Sequence, residues 1–315
     1  MIKVTTIVDN HALPDMKAEH GYSLCIEAEN SKILFDTGQG HAFRENIAIL
    51  KIDLEQIDLL IMSHGHYDHT GNLQWFLKNN SHARVYSLQG FEEPRYRKRE
   101  NGFMKEIGMT AINRQAFLEL PAWRKCQPET EPTQPLYVLP RIGLTGEVPR
   151  ISPYEPPEKY FFLDNEAEKP DPVKDDNSFW IETETGIILF CGCCHAGLIN
   201  TISVIKNFLG DRFRLRGVIG GMHLADTTRA RLDKTVEFLN QLEPEFIIPA
   251  HCTGSTLVQS LFKPEIRLFE SAAGKIFEFS EQEIANYSLQ QKPAKDTITP
   301  SNSKEPSCKL RNPGF

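Results

Sequence analysis

Four residues able to ligate a metal, His64, His66, Asp68 and His69, fall within six positions of the segment SHGHYDHTGN. In an extended turn, two imidazoles one residue apart point to the same side. A carboxylate and a third imidazole just beyond them face a neighbouring point, so one short loop can serve two adjacent ions. Histidine is scarce, and packing it this densely gives no folding advantage, which sets aside a chance polar loop. Gly65 and Gly71 are expected to let the backbone turn tightly around an ion. Further candidates stand at the ends of other apolar runs: Asp36 after KILF, Cys193 and His195 after GIILF, His223 after GVIGGM and His251 after FIIPA. Six of the ten histidines sit at such ends, where open α/β sheets carry their sites. Imidazole with carboxylate is the ligand set of zinc, manganese or iron, and the expected cofactor is a pair of divalent ions, zinc first among them.

Two closely spaced divalent ions lower the pKa of a shared water, giving hydroxide at neutral pH, and they polarise the bond under attack. Hydrolysis is therefore the expected output. Asp68 is expected to hold the second ion and align the hydroxide, and His223 to give a proton to the leaving group. A satisfied histidine on the rim is the alternative reading of His223.

The elements that must position these residues are legible as alternating patterns. MIKVTTIVD, GYSLCIEAE and KILFDTG read as paired strands with a turn at Asn30-Ser31. A helix is predicted from about His41 to Leu50, followed by IDLLIMS, a continuous apolar run suited to a strand covered on both faces. GNLQWFLKNN has helical spacing and RVYSLQ reads as a strand. Residues from about 91 to 160 are rich in charge, aromatics and proline without a clean period, and are expected to form an insertion serving as a lid or substrate-binding element. SFWIETE and GIILFCG then pair across a turn at 184–186. Helices from Leu198 to Phe208, over TRARLDKTVEFLNQL and from near Gly254 alternate with the strands RGVIGGM and FIIPA. Such alternation means an α/β architecture. One domain is expected over 1–287, with the polar, proline-bearing tail 288–315 disordered.

At 315 residues with 40% apolar content, the chain can bury a full core. A net charge of -7 without long basic runs argues against a surface for nucleic acid, so a small-molecule substrate is the expected partner. The start lacks a basic region followed by an apolar stretch, and no apolar run approaches bilayer length, so no membrane association and a cytoplasmic location are expected. Seven cysteines, three of them crowded at Cys191, Cys193 and Cys194, do not form a disulfide framework and fit reduced thiols.

With its HxHxDH signature at His64, His66, Asp68 and His69, the sequence resembles the metallo-β-lactamase superfamily. SHGHYDHTGN, CGCCHAGLIN, GGMHL and PAHCTG look like its dihydropterin ribofuranosylaminobenzene phosphate synthase-like branch, over about residues 1 to 285. The resemblance implies a four-layer αββα sandwich, an α/β (α+β) fold, with the metal site at one edge between two sheets. It makes His64 and His66 ligands of the first ion, and Asp68, His69 and His251 ligands of the second. LFCGC aligns with the superfamily's LFTGD, so Cys193 stands where a bridging aspartate is usual. Either the Cys193 thiolate binds there, or His195 supplies the missing histidine of the first ion. His195 is preferred because imidazole completes a three-histidine site without a bridging thiolate. Asp36 matches a buried aspartate that orients a ligand.

Phosphoesters or phosphate-bearing small molecules are the substrate class the resemblance favours. Its alternatives are a transferase condensing a pterin with an aryl phosphate and a non-catalytic metal-stabilised binding protein. Diiron redox work is disfavoured, because members that do it carry an acidic residue where His66 stands.

Overall fold

Alternation along the central strands sends successive side chains into two different cores. In the strand Gly186–Cys191, Ile188 and Phe190 face one core while Ile187, Leu189 and Cys191 face another. Leu59 and Ile61 likewise part from Leu60 in the strand Leu59–Ile61. A strand that is apolar on both faces must lie between two layers, which is what its continuous apolar run predicts.

The computed structural model describes residues 1–128, 134–280 and 283–288. An eight-stranded sheet runs in the order Ile284–Tyr287, Ile276–Phe279, Ile2–Val8, Ser23–Ala28, Ser31–Phe35, Leu59–Ile61, Arg84–Tyr86, Lys125–Cys126. A seven-stranded sheet runs Arg267–Leu268, Phe246–Pro249, Leu215–Gly220, Gly186–Cys191, Phe179–Thr183, Ile142–Leu144, Leu136–Leu139. The two sheets share an aromatic core in which the rings of Phe179 and Phe190 stack at 4.5 Å and Phe35 meets Phe179 edge-on at 4.9 Å. Each such buried side chain contributes roughly 1.5–3 kcal/mol through removal from water.

Helices cover the outer faces. His41–Leu50, Leu73–Lys78 and Ala111–Leu118 place Phe43, Phe76 and Phe117 against the first sheet. Leu198–Leu209 and Arg229–Leu242 place Ile202, Ile205 and Leu239 against the second. The fold is thus α/β, two mixed sheets flanked by helices in four layers.

Both sheets turn parallel where the chemistry lies. Ser31–Phe35 pairs with Leu59–Ile61, and Gly186–Cys191 with Leu215–Gly220 and in turn Phe246–Pro249, all in parallel. Their carboxyl ends therefore share one rim, and that rim carries Asp36, His64, Cys193, His195, His223 and His251.

Three expectations need correction. The described residues of 91–160 do not form one insertion. Ala111–Leu118 packs Phe117 into the first outer core, Lys125–Cys126 pairs with Arg84–Tyr86, and Leu136–Leu139 with Ile142–Leu144 extends the second sheet. Only the hairpin of Tyr96–Lys98 and Met104–Glu106, joined by Phe161–Phe162, forms a separate small sheet. The edge strands there are two to four residues long, too short to show a period. No long helix follows Gly254, because Leu257, Phe262 and Ile266 reach the second outer core from an irregular loop holding a single 3-10 turn, Gln259–Leu261. The glycines of the histidine loop do stand at a bend, Gly65, and a turn, Gly71, but backbone freedom is not what selects them. Neither has a positive φ, and each is small because a Cβ would stand 2.1 Å from the Phe91 carbonyl oxygen at Gly65 and 1.9 Å from that of Gln39 at Gly71. The expected disorder of the tail beyond Ser288 lies outside the described residues.

Candidate metal centre

Hydrogen bonds behind the site set which nitrogen each imidazole presents. Asp36 accepts from the Ser63 backbone at 2.8 Å and from the Ser63 hydroxyl at 2.7 Å. Its Oδ2 also accepts from His69 Nδ1 at 2.7 Å, which leaves His69 Nε2 facing inward. With its proton given to Asp36, Ser63 Oγ can accept from His64 Nδ1 at 2.9 Å, so that His64 Nε2 also faces the site. Asn10 Oδ1 receives His251 Nδ1 at 3.1 Å, and Asp9 Oδ1 receives the His251 backbone N–H at 3.0 Å. His251 Nε2 then lies 3.3 Å from Asp68 Oδ2.

On the inner side these groups converge. His64 Nε2 is 2.9 Å from His66 Nδ1, and Cys193 Sγ is 3.2 Å from His69 Nε2. The rings of His64 and His66 stand 4.8 and 4.9 Å from that of His195. Among the described residues, ligand atoms lie within 4.8 Å of one another in the sets His64, His66, His195; His64, His69, Cys193; His20, Asp68, His251; Cys193, His195, His223; and Cys193, His251, Cys252.

The arrangement fits metal ions. Buried ring nitrogens of His66 and His195 have no hydrogen-bond partner within the protein, an omission that costs roughly 1–3 kcal/mol per group unless something satisfies it. Burial, reinforced by neighbouring imidazoles, pushes His64 and His66 well below their ordinary pKa and keeps them neutral, which is the ligating form. Burial works against charge on Asp68, but His69, His20 and His251 outweigh it and hold the carboxyl well below the usual range. Asp36, Cys194, His223 and His251 all adopt left-handed backbone conformations, with φ between 48° and 57°. Each costs about 1–3 kcal/mol in a residue with a β-carbon, and such strain concentrates at functional sites.

Cys193 and His195 were alternatives in the sequence, and the fold brings in both. His195 stands with His64 and His66, while Cys193 belongs to the set around His69. His223 adjoins His195 at 4.4 Å between ring centroids. Its Nε2 lies 3.8 Å from Glu158 Oε1, and His195 Nδ1 lies 4.0 Å from the same oxygen. Burial would raise the pKa of Glu158, but His195 and His223 lower it to about 2, so the carboxylate is charged.

Five participants escaped the sequence reading. Ser63 and Cys252 adjoin residues already singled out, and their neighbours were a usable signal. His20, whose Nε2 is 3.1 Å from Asp68 Oδ2, comes from a loop with no strand-end pattern. Asn10 and Glu158 likewise acquire their roles only through long-range folding.

The centre forms the floor of an open cavity of about 1290 Å³. Its lining also carries Arg97, Lys98, Arg99, Lys105 and Lys159, largely from the small three-stranded sheet, against the two further carboxylates Glu100 and Asp226. Two of these cations are held against rings, Arg97 over Tyr160 at 4.9 Å and Lys105 over Tyr67 at 4.7 Å.

Residues 17–251 match the family described as the metallo-beta-lactamase superfamily. The chain belongs to this superfamily. An uncharacterized protein of Methanocaldococcus jannaschii is 32% identical over 257 residues, covering 81% of this chain and 91% of that one. The 7,8-dihydropterin-6-methyl-4-(beta-D-ribofuranosyl)-aminobenzene-5'-phosphate synthase of the same organism is 28% identical over 306 residues, covering 88% and 97%. The metallo-β-lactamase fold is shared with the solved structure of Tm1679, described as a metal-dependent hydrolase of the beta-lactamase superfamily. Its TM-score is 0.72 at 24% identity, over 89% of this chain and all of that one. YhfI from Bacillus subtilis, a metallo-beta-lactamase fold protein, matches at 0.52 and 12% over 88% and 99%. Among the described residues, no helix of this superfamily member is long and apolar enough to cross a membrane.

Proposed function

We propose that the chain is a metal-dependent hydrolase of a phosphoester or another phosphate-bearing small molecule. The observation that carries this reading is a ligand cluster in a cavity whose lining bears five cationic side chains, in a chain of net charge -7. A basic lining inside an acidic protein concentrates an anionic substrate at the site.

His64, His66 and His195 would hold one divalent ion, and Asp68, with His69 at 3.9 Å and His251 at 3.3 Å from its Oδ2, a second, with the Cys193 thiol beside His69 as a further ligand. Such ions supply an activated water at neutral pH and polarise the bond under attack. The protein's own part is positioning. Asp36 and Asn10 orient His69 and His251, Asp68 is held ionised between three imidazoles, and His223 faces the cavity beside Glu158 as the group placed to return a proton to a leaving oxygen. Zinc suits a set rich in imidazole with a thiol, better than manganese does.

The test is a panel of phosphomonoesters, phosphodiesters, thioesters and lactams, assayed after reconstitution with zinc, manganese or iron. Turnover of a phosphoester lost in Asp68→Ala supports the reading, and turnover confined to neutral esters or lactams rejects the substrate class. A second reading, transfer that joins a pterin to an aryl phosphate, draws on the relative carrying that synthase name and on a cavity roomy enough for two reactants. Product formation that requires both reactants would select it.

A further inference from the structure

We infer that Cys252 is a second thiolate ligand of this centre, acting with Cys193 and His251. This inference rests on the reading of the cluster as a metal centre, but not on any choice of substrate. Asp68, His69 and His251 account for the second ion without Cys252, and a half-buried cysteine beside a histidine is by itself unremarkable. What singles it out is where the chain places its sulfur.

The ligand atoms of Cys193, His251 and Cys252 lie within 4.8 Å of one another, close enough to surround one ion. They arrive from two separate strand ends, those of Gly186–Cys191 and Phe246–Pro249. The backbone is bent to make this possible. His251 has φ 48° and opens the 3-10 turn His251–Thr253, so that the adjacent His251 and Cys252 side chains both line the cavity.

Space for the sulfur is kept by a residue without a side chain. A Cβ at Gly221 would stand 2.8 Å from Cys252 Sγ and 2.1 Å from the Gly192 carbonyl oxygen. The sulfur also has its own donor, the backbone N–H of His223 at 3.3 Å. It also lies 3.6 Å from the Cys193 carbonyl oxygen, to which a neutral thiol can direct its proton, and it meets the side chains of Cys193 and His223. On binding a cation, that proton leaves to solvent, the S–H bond is replaced by a sulfur–metal bond, and the His223 amide remains to stabilise the thiolate. Nearby, the His195 ring nitrogens are buried without partners, which marks the same floor as built for something the protein alone does not provide.

Two thiolates add soft ligands to a cavity that Asp68 also lines with a hard one. Soft ligands select zinc or cobalt over manganese, so Cys252 enters metal choice rather than bond cleavage.

The experiment is cobalt substitution of the full-length protein and of Cys193→Ser, Cys252→Ser and the double variant, read by thiolate-to-cobalt charge-transfer absorption. The expected result is a band that falls by about half in each single variant and vanishes in the double, since a metal-bound thiol is deprotonated outright. A band in Cys252→Ser as strong as in the unaltered protein overturns the inference. A second measurement needs no variant. Iodoacetamide labelling followed by mass spectrometry should slow at Cys252 by roughly tenfold or more when zinc is added, because a ligated thiolate is a poor free nucleophile. Labelling of Cys126, on the edge strand Lys125–Cys126, should not change and serves as the internal control. Equal Cys252 labelling with and without zinc overturns the inference. Failure of the hydrolase reading looks different, with both thiols protected by metal but no phosphoester turned over.

Discussion

Asp175 Oδ2 lies 2.8 Å from the backbone N–H of Gly65, inside the histidine loop. The next residue repeats the contact on the opposite side of the centre, where Asp176 Oδ2 accepts from the Ala196 backbone N–H at 2.8 Å. Asn177 then gives its own N–H to the Ser63 carbonyl at 2.8 Å. Three consecutive residues thus tie the loop of the first sheet to that of the second, and neither loop can shift without breaking a buried bond. Asp175 is also paired with the buried Arg95 at 2.6 Å, and Arg95 with Asp171 at 2.5 Å.

Asp175→Ala should destabilise the fold by about 3–5 kcal/mol, because it leaves Arg95 short of a partner and the Gly65 amide unpaired in the interior. Urea unfolding followed by circular dichroism measures this. A loss below about 1 kcal/mol, which is typical of exposed ion pairs, would show that the network does not bear on stability.

Asp36→Ala removes the acceptor that fixes His69 and Ser63. Metal affinity should fall by about 10- to 100-fold, the usual effect of losing a carboxylate that orients a ligating histidine. The protein should also unfold at lower temperature. Chelator competition and thermal melts report the two effects, and unchanged affinity would remove Asp36 from the support of the centre.

Two metal ions per chain are expected under replete conditions, because the converging ligands exceed what one tetrahedral ion uses. His195→Ala should lose the ion shared with His64 and His66, and Asp68→Ala the ion shared with His251, each leaving about one ion bound and abolishing turnover. Elemental analysis after reconstitution decides this. A stoichiometry at or below one in the unaltered protein contradicts the dinuclear centre.

Arg97→Glu reverses a charge in the cavity lining at a residue outside the ligand sets. KM for a phosphoester should rise about tenfold, equivalent to ~1.4 kcal/mol of lost attraction, with kcat nearly unchanged. Raising ionic strength should shrink the difference between the two proteins. An equal rise in KM for a neutral ester would show that the change acts through shape rather than charge.

Much of this was legible before folding. Continuous apolar runs ending in His64, His195, His223 and His251 announced both the doubly covered strands and the rim on which the ligands stand, because a two-residue period and a buried strand leave their mark in adjacent positions. The helices His41–Leu50 and Leu198–Leu209 followed from spacing over ten or more residues, where local pattern suffices. The short edge strands within 91–160 left no such mark, since a two-residue strand owes its existence to the sheet it joins. The same division runs through the site. Residue types and their order along the chain are local facts, so the sequence by itself determined that residues able to ligate a metal gather at strand ends. Which of Cys193 and His195 the fold brings to the cluster, which nitrogen His69 presents, that Glu158 faces His223 and that Asp175 and Asp176 join the two halves are decided by contacts across 20 to 131 positions of chain. Only the closing of two parallel sheet edges onto one rim brings those groups within bonding distance, and no period or spacing in the chain encodes a contact between segments so far apart.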